Sequence, residues 1–318
     1  MGRNKLIDMV RFFAIFLVVL GHAIQFNSPN PFDNIFFRMI YSFHMPLFFF
    51  ISGYVSYNSI LNNKFNISSK FLTLLYPFFL WSVFYSAVKN NTFDFLNTFK
   101  LLIYQPDSGY WFLWALFWIY VVVLIIRKIN NNYLIAILIV LFFMIPTKDY
   151  GVSLVKYHMI YFLFGLAVFK YKYLLSRFSI TNNQKILIVL FSFIMSTLYT
   201  TNNIEYYELI GYGLGSKFLV YGLKIFIASC MILATFLIAN FILMRKYIFE
   251  KYILKIGALY TLNIYLMHFF FINQFEFTSV IISTIVNFIF AFLATLLVTY
   301  ILEKIAIKKL SYILFGRL

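Results

Sequence analysis

Asp8, Arg11 and His22 stand in LIDMVRFFAIFLVVLGH (Leu6–His22), a run that is otherwise almost entirely apolar. A carboxylate, a guanidinium and an imidazole are expensive in a segment built for lipid, and by default they mark a site lining a protein cavity. Their spacing is helical. Arg11 and His22 are eleven residues apart, about three turns, so both project from one face. Asp8 lies one turn below Arg11 on that face and is placed to pair with it, which makes the buried charge tolerable. One stripe therefore carries an ion pair and, about 16 Å further along, an imidazole. Arginine suits phosphate or pyrophosphate. Histidine takes or gives a proton near neutral pH, and Gln25 on the next turn helps it handle a hydroxyl group. The plain structural alternative is an Asp–Arg pair that only fixes helix packing, and a histidine satisfied by an interhelical hydrogen bond.

The other three histidines are His44, His158 and His268. If both termini are cytoplasmic, all four fall in the outer half of the bilayer at broadly similar depths, His158 being the shallowest. Interfacial polar and aromatic residues are common at that level, so His158 reads equally well as an interface residue. Pro46 follows His44 closely; it frees the Ser42 carbonyl and allows a bend there. Ser52-Gly53 in the same run permits close approach of another helix.

The elements that must position these groups are membrane spans. Of 318 residues, 63% are hydrophobic and only 11% charged, where a soluble domain carries roughly a quarter charged. Runs long enough to cross a bilayer recur throughout. We expect an all-α, polytopic transmembrane bundle of about ten spans. They cover Leu6–Phe26, Phe36–Leu61, Phe71–Val88, Trp111–Ile126, Tyr133–Pro146, Leu154–Phe169, Ile186–Thr200, Val220–Phe241, Gly257–Asn273 and Val280–Ile301. Ten spans put both termini on one side. With that side cytoplasmic, lysines and arginines divide 18 inside to 7 outside, with Arg11 left within the first span. The net charge of +16 therefore belongs to short loops and does not point to nucleic acid.

No connection is long enough for a soluble domain, so residues 1–318 read as a single integral-membrane domain. The first run is too long and too polar near its start for a signal-peptide core, and is expected to stay as a helix. One cysteine, Cys230, excludes an intramolecular disulfide. There is no Gly-rich phosphate loop, no Cys or His pair at metal spacing and no Gly-x-Ser-x-Gly elbow. No metal is expected.

Five blocks, in order, resemble the membrane-bound acyltransferase 3 family, which O-acetylates sugars and other hydroxylated envelope compounds. They are IDMVRFFAIFLVVLGH, YSFHMPLFFFISGY, YWFLWALFW at 110–118, YFLFGLAVF at 161–169 and IGALYTLNIYLMHFFF at 256–271. The second block is most similar to the branch related to fucose 4-O-acetylase. The resemblance implies acetyl-CoA as co-substrate at the cytoplasmic side of a bacterial inner membrane. The acceptor would be a glycan or a lipid-linked glycan. His22 matches the family's essential first-helix histidine and Arg11 its essential arginine. His44, Trp111 and His268 match recurrent motif positions, and with Gln25 they are candidates for holding donor or acceptor.

The family's Arg-x-x-Arg element before the third span is missing. KFLTLLYP stands there with Lys70, so Arg127, Lys128 or the C-terminal basic run would have to replace it. His22 would act as general base on a sugar hydroxyl or carry the acetyl group transiently. The alternative function is export of a surface glycan, which would move substrate without consuming acyl-CoA.

Overall fold

The structure is a computed structural model that describes residues 4–89, 95–106, 109–129, 150–200, 214–245, 247–304 and 314–316. Among them every regular element is helical. Eight helices are long and apolar enough to cross a membrane. Five of them are α1 (Lys5–Asn27), α2 (Ile35–Leu61), α3 (Ile67–Val88), α5 (Trp111–Lys128) and α6 (Val152–Lys170). The others are α8 (Leu214–Met244), α9 (Glu250–Phe270) and α10 (Val280–Lys304). Shorter helices include α4 (Phe95–Tyr104) and α7 (Asn182–Thr197). The chain is an all-α multi-pass membrane protein.

Nine of the ten expected spans coincide with a helix, and the fifth, Tyr133–Pro146, lies outside the described residues. The differences at the ends have local causes. The third span starts a turn earlier than its apolar run because Asn66 caps it, its side chain accepting from the Ser68 and Ser69 amides. The eighth starts earlier, taking in Lys217; within it Lys224 is buried and holds its ammonium 5.5 Å from the centre of the Tyr199 ring. The stretch between α3 and α5 contains α4, which buries Leu102.

The helices group into two compact units. One comprises Met1–Phe48 and Tyr173–Thr299, and the other Phe49–Lys172 and Tyr300–Leu318. In the first, α1 lies against α8 and α9, and α7 lies against α8. Lipid offers no hydrophobic drive for such packing, so small residues and polar anchors take its place. Gly257 allows the closest approach of α9 to the α1 backbone. A Cβ there would overlap the Asp8 carbonyl oxygen and come within 2.9 Å of its carbon.

Asn287, fully buried on α10, supplies the polar anchor. Its Oδ1 accepts from the amides of Gln274 and Phe275, at 2.9 and 3.0 Å. Its Nδ2 donates to the Asn27 Oδ1 at 2.8 Å and the Phe275 carbonyl at 2.7 Å. All four bonds an amide side chain can make are used, and they tie the end of α1 to the chain leaving α9.

In the second unit α6 packs on α5 and on the later part of α2. Gly53 and Gly165 face opposite backbones: a Cβ on either would overlap the carbonyl of Phe162 or Phe50, respectively. The close approach expected at Ser52-Gly53 is therefore made, with Gly165 as its counterpart. Pro46 sits inside α2, which remains one helix across it.

Candidate active site

The first-helix stripe forms as its spacing requires. Asn4 caps α1 by accepting from the amides of Leu6 and Ile7, and Asp8 and Arg11 follow within the next two turns. Arg11 Nη1 lies 3.7 Å from Asp8 Oδ1; Asp8 is buried, while 31% of the arginine side chain stays exposed. Such a pair neutralises the carboxylate and leaves an accessible face of the guanidinium. Below it, Lys5 pairs with Glu250 at 2.9 Å, joining the starts of α1 and α9.

Three turns on, His22 is held by a side chain. Its Nδ1 lies 2.9 Å from Gln25 Oε1, which also accepts from the Tyr41 hydroxyl at 2.7 Å. Facing an acceptor, Nδ1 carries the ring proton, so Nε2 keeps its lone pair as a base or nucleophile must. The Tyr41 oxygen is 3.4 Å from the same Nδ1.

The other three histidines are held differently. The Nδ1 atoms of His44, His158 and His268 meet the carbonyls of Ile40, Leu154 and Ile264, at 2.8, 2.8 and 3.0 Å. Each donates one turn back along its own helix, which again leaves Nε2 as the acceptor.

Tertiary packing then selects a partner for His22. The His268 ring lies 5.3 Å from it, centre to centre, and Phe269 packs on both, at 4.7 and 4.2 Å. His268 is fully buried, and its Nε2 has no hydrogen-bond partner among the described residues. A buried acceptor left unmet is costly, and a hydroxyl donor arriving beside His22 would satisfy it. Tyr41 stands between His22 and His44, with ring centres 6.3 and 4.8 Å away. His22, Gln25, His268 and His44 thus share one cluster in the first unit.

Trp111 and His158 meet in the other unit. Their rings are 4.9 Å apart, with Phe49 stacked on His158 at 4.6 Å. His158, which the sequence leaves open as an interface residue, is buried in this aromatic stack. Lys70 holds its ammonium over the rings of Phe65 and Tyr120, at 5.6 and 5.3 Å. Arg127 donates to the Leu61 carbonyl at 2.6 Å, closing the end of α2. Of the C-terminal basic run, Lys308, Lys309 and Arg317 lie outside the described residues. Among those described, no three His, Cys, Asp or Glu side chains are grouped as a metal ion would need.

A family model described as an acyltransferase domain matches residues 4–304, from the Asn4 cap to the end of α10. The chain belongs to the acyltransferase 3 family. Both cluster and stripe fall within the matched range. It is 31% identical over 125 residues to the nodulation protein NolL of Sinorhizobium fredii, covering 36% of this chain and 34% of that protein. It is 26% identical over 140 residues to NolL of Mesorhizobium japonicum, covering 41% and 38%. The chain thus matches little more than a third of the length of these curated relatives. No solved structure matches this chain significantly.

Sequence reasoning passed over Tyr41, Phe269, Asn287 and Gly257. For Tyr41 a signal was there, since it stands three residues before His44 on the same helix face. The others act across helices and leave no periodic trace.

The Gln25 bond leads to a sharp expectation. Gln25→Leu removes the acceptor that holds the ring proton on Nδ1, so the imidazole spends part of its time with Nε2 protonated. Acyl-transfer kcat should fall about 10- to 100-fold with KM little changed, and Gln25→Glu should retain most of it. An unaltered kcat in the leucine variant would remove the orienting role.

Proposed function

We propose that the protein is an O-acetyltransferase of a bacterial plasma membrane. It moves an acetyl group from acetyl-CoA to a hydroxyl of a cell-surface polysaccharide or its lipid-linked precursor. The observation that carries the reading is the pairing of His22, its proton held on Nδ1 by Gln25, with the unmet Nε2 of buried His268 in the same cluster.

The acceptor hydroxyl would donate to the His22 Nε2 and its oxygen would attack the thioester carbonyl. His22 takes the hydroxyl proton, the carbon–sulfur bond breaks, and the departing thiolate takes that proton back as the thiol. No net charge is left behind. Arg11, with Asp8 as its counter-charge, would position the donor's phosphates or pantetheine arm from the cytoplasmic side. His268 and His44 would face the acceptor, with His268 fixing a second hydroxyl.

The test is reconstitution of the purified protein in liposomes with radiolabelled acetyl-CoA and a lipid-linked glycan. Transfer of label to the glycan is the expected result. Movement of glycan across the bilayer with acetyl-CoA unconsumed would overturn the reading in favour of an exporter.

A further inference from the structure

Away from the histidine cluster, the first unit contains a cavity of about 720 Å³ between α7 and α8. The two helices run antiparallel, so the first turn of α7 and the last of α8 form the same end of it. That end is polar and cationic: Lys185 and Asn182 come from α7, Asn240 from α8 and Arg245 from the residue that follows it. The remaining wall is apolar and reaches along α7 to Leu190, about 12 Å deeper at the helical rise.

Neither cation faces a carboxylate among the described residues. Lys185 donates to the Asn182 Oδ1 at a long 3.5 Å, and Arg245 lies over the Phe241 ring at 5.1 Å. The start of α7 adds to the positive field. Thr181 and Gln184 close a capping box there, leaving other first-turn amides directed the same way.

We infer that this cavity binds an anionic phospholipid of the surrounding leaflet, its phosphate between Lys185 and Arg245 and an acyl chain along the apolar wall. Charge complementarity decides the headgroup, because two uncompensated cations at a bilayer surface disfavour a zwitterionic lipid. The wall decides the tail, since a cavity of this size, apolar beyond one end and bounded on one side by α8, which is long and apolar enough to cross a bilayer, offers water no partners. Both cations also fall on the side the charge asymmetry assigns to the cytoplasm, where anionic lipid and basic pockets between helices meet. The inference does not depend on acyl transfer.

The experiment is native mass spectrometry of the full chain released from nanodiscs of equal phosphatidylglycerol and phosphatidylcholine. Phosphatidylglycerol should be retained in preference. In the K185A/R245A variant that preference should fall about twenty-five-fold, each cation being worth about fivefold at a lipid surface. The K185R/R245K variant, which keeps both charges, should retain it. Unchanged preference in the alanine variant, or its equal loss in the charge-keeping one, would overturn the site. Two competitors separate the sources of phosphate. Displacement by inorganic phosphate, or stronger retention of an isoprenyl monophosphate than of phosphatidylglycerol, would overturn its assignment to a membrane phospholipid.

Discussion

His22→Ala should reduce acetyl transfer from acetyl-CoA by about a thousandfold or more while leaving the protein in the membrane. A positioned general base contributes about 10²- to 10⁴-fold, and His22 is the histidine in the cluster whose Nδ1 is held by another side chain. Insertion should survive because α1 remains an apolar helix capped by Asn4 and tied to Asn287 through Asn27. Removing the ring also opens space against His268 and Phe269, so packing and chemistry must be separated. His22→Gln does this, since it fills most of the volume and supplies no base near neutral pH. Both variants should be equally inactive in the reconstituted label-transfer assay, and O-acetyl methyl signals should vanish from the polysaccharide of cells carrying either. Full acetylation with His22→Gln would end the general-base role.

Gly257→Ala is expected to act nearly as strongly from the other end of the helix. The added methyl would overlap the Asp8 carbonyl oxygen and come within 3.0 Å of the Phe12 amide nitrogen. Both are backbone atoms of α1, so no side-chain rotation relieves the clash, and the helices must separate by about an ångström or more. Overpacking of this kind costs about 1–3 kcal/mol. The larger effect is on geometry: α1 carries Asp8, Arg11 and His22, and α9 carries His268. A misplacement of about 1 Å between reacting groups costs on the order of 100-fold. Label transfer should therefore fall by about that factor, with a lower melting temperature in detergent. Wild-type transfer by Gly257→Ala would show that the α1–α9 approach does not align the site.

Much of this architecture is legible in the chain itself, for one physical reason. In a bilayer every backbone polar group must be met within its own segment, so apolar length translates directly into helix. That is why the run from Lys5 to Asn27 is read correctly, and why Asp8, Arg11 and His22 fall on one face. The period of a helix fixes which of its own side chains are neighbours. Caps were less legible, because Asn66 lies outside the apolar run whose start it sets.

What tertiary structure alone decided is which helices meet. The sequence put four histidines at broadly similar depth without pairing any of them, and packing brought His268 to His22 while leaving His158 with Trp111 and Phe49. The determinants are single atoms absent or single bonds made far apart in sequence. At Gly257 a missing Cβ lets α9 touch the α1 backbone, and at Asn287 four hydrogen bonds close the end of the cluster. Periodicity reports on one helix at a time, whereas an approach between two backbones depends on the shapes of both.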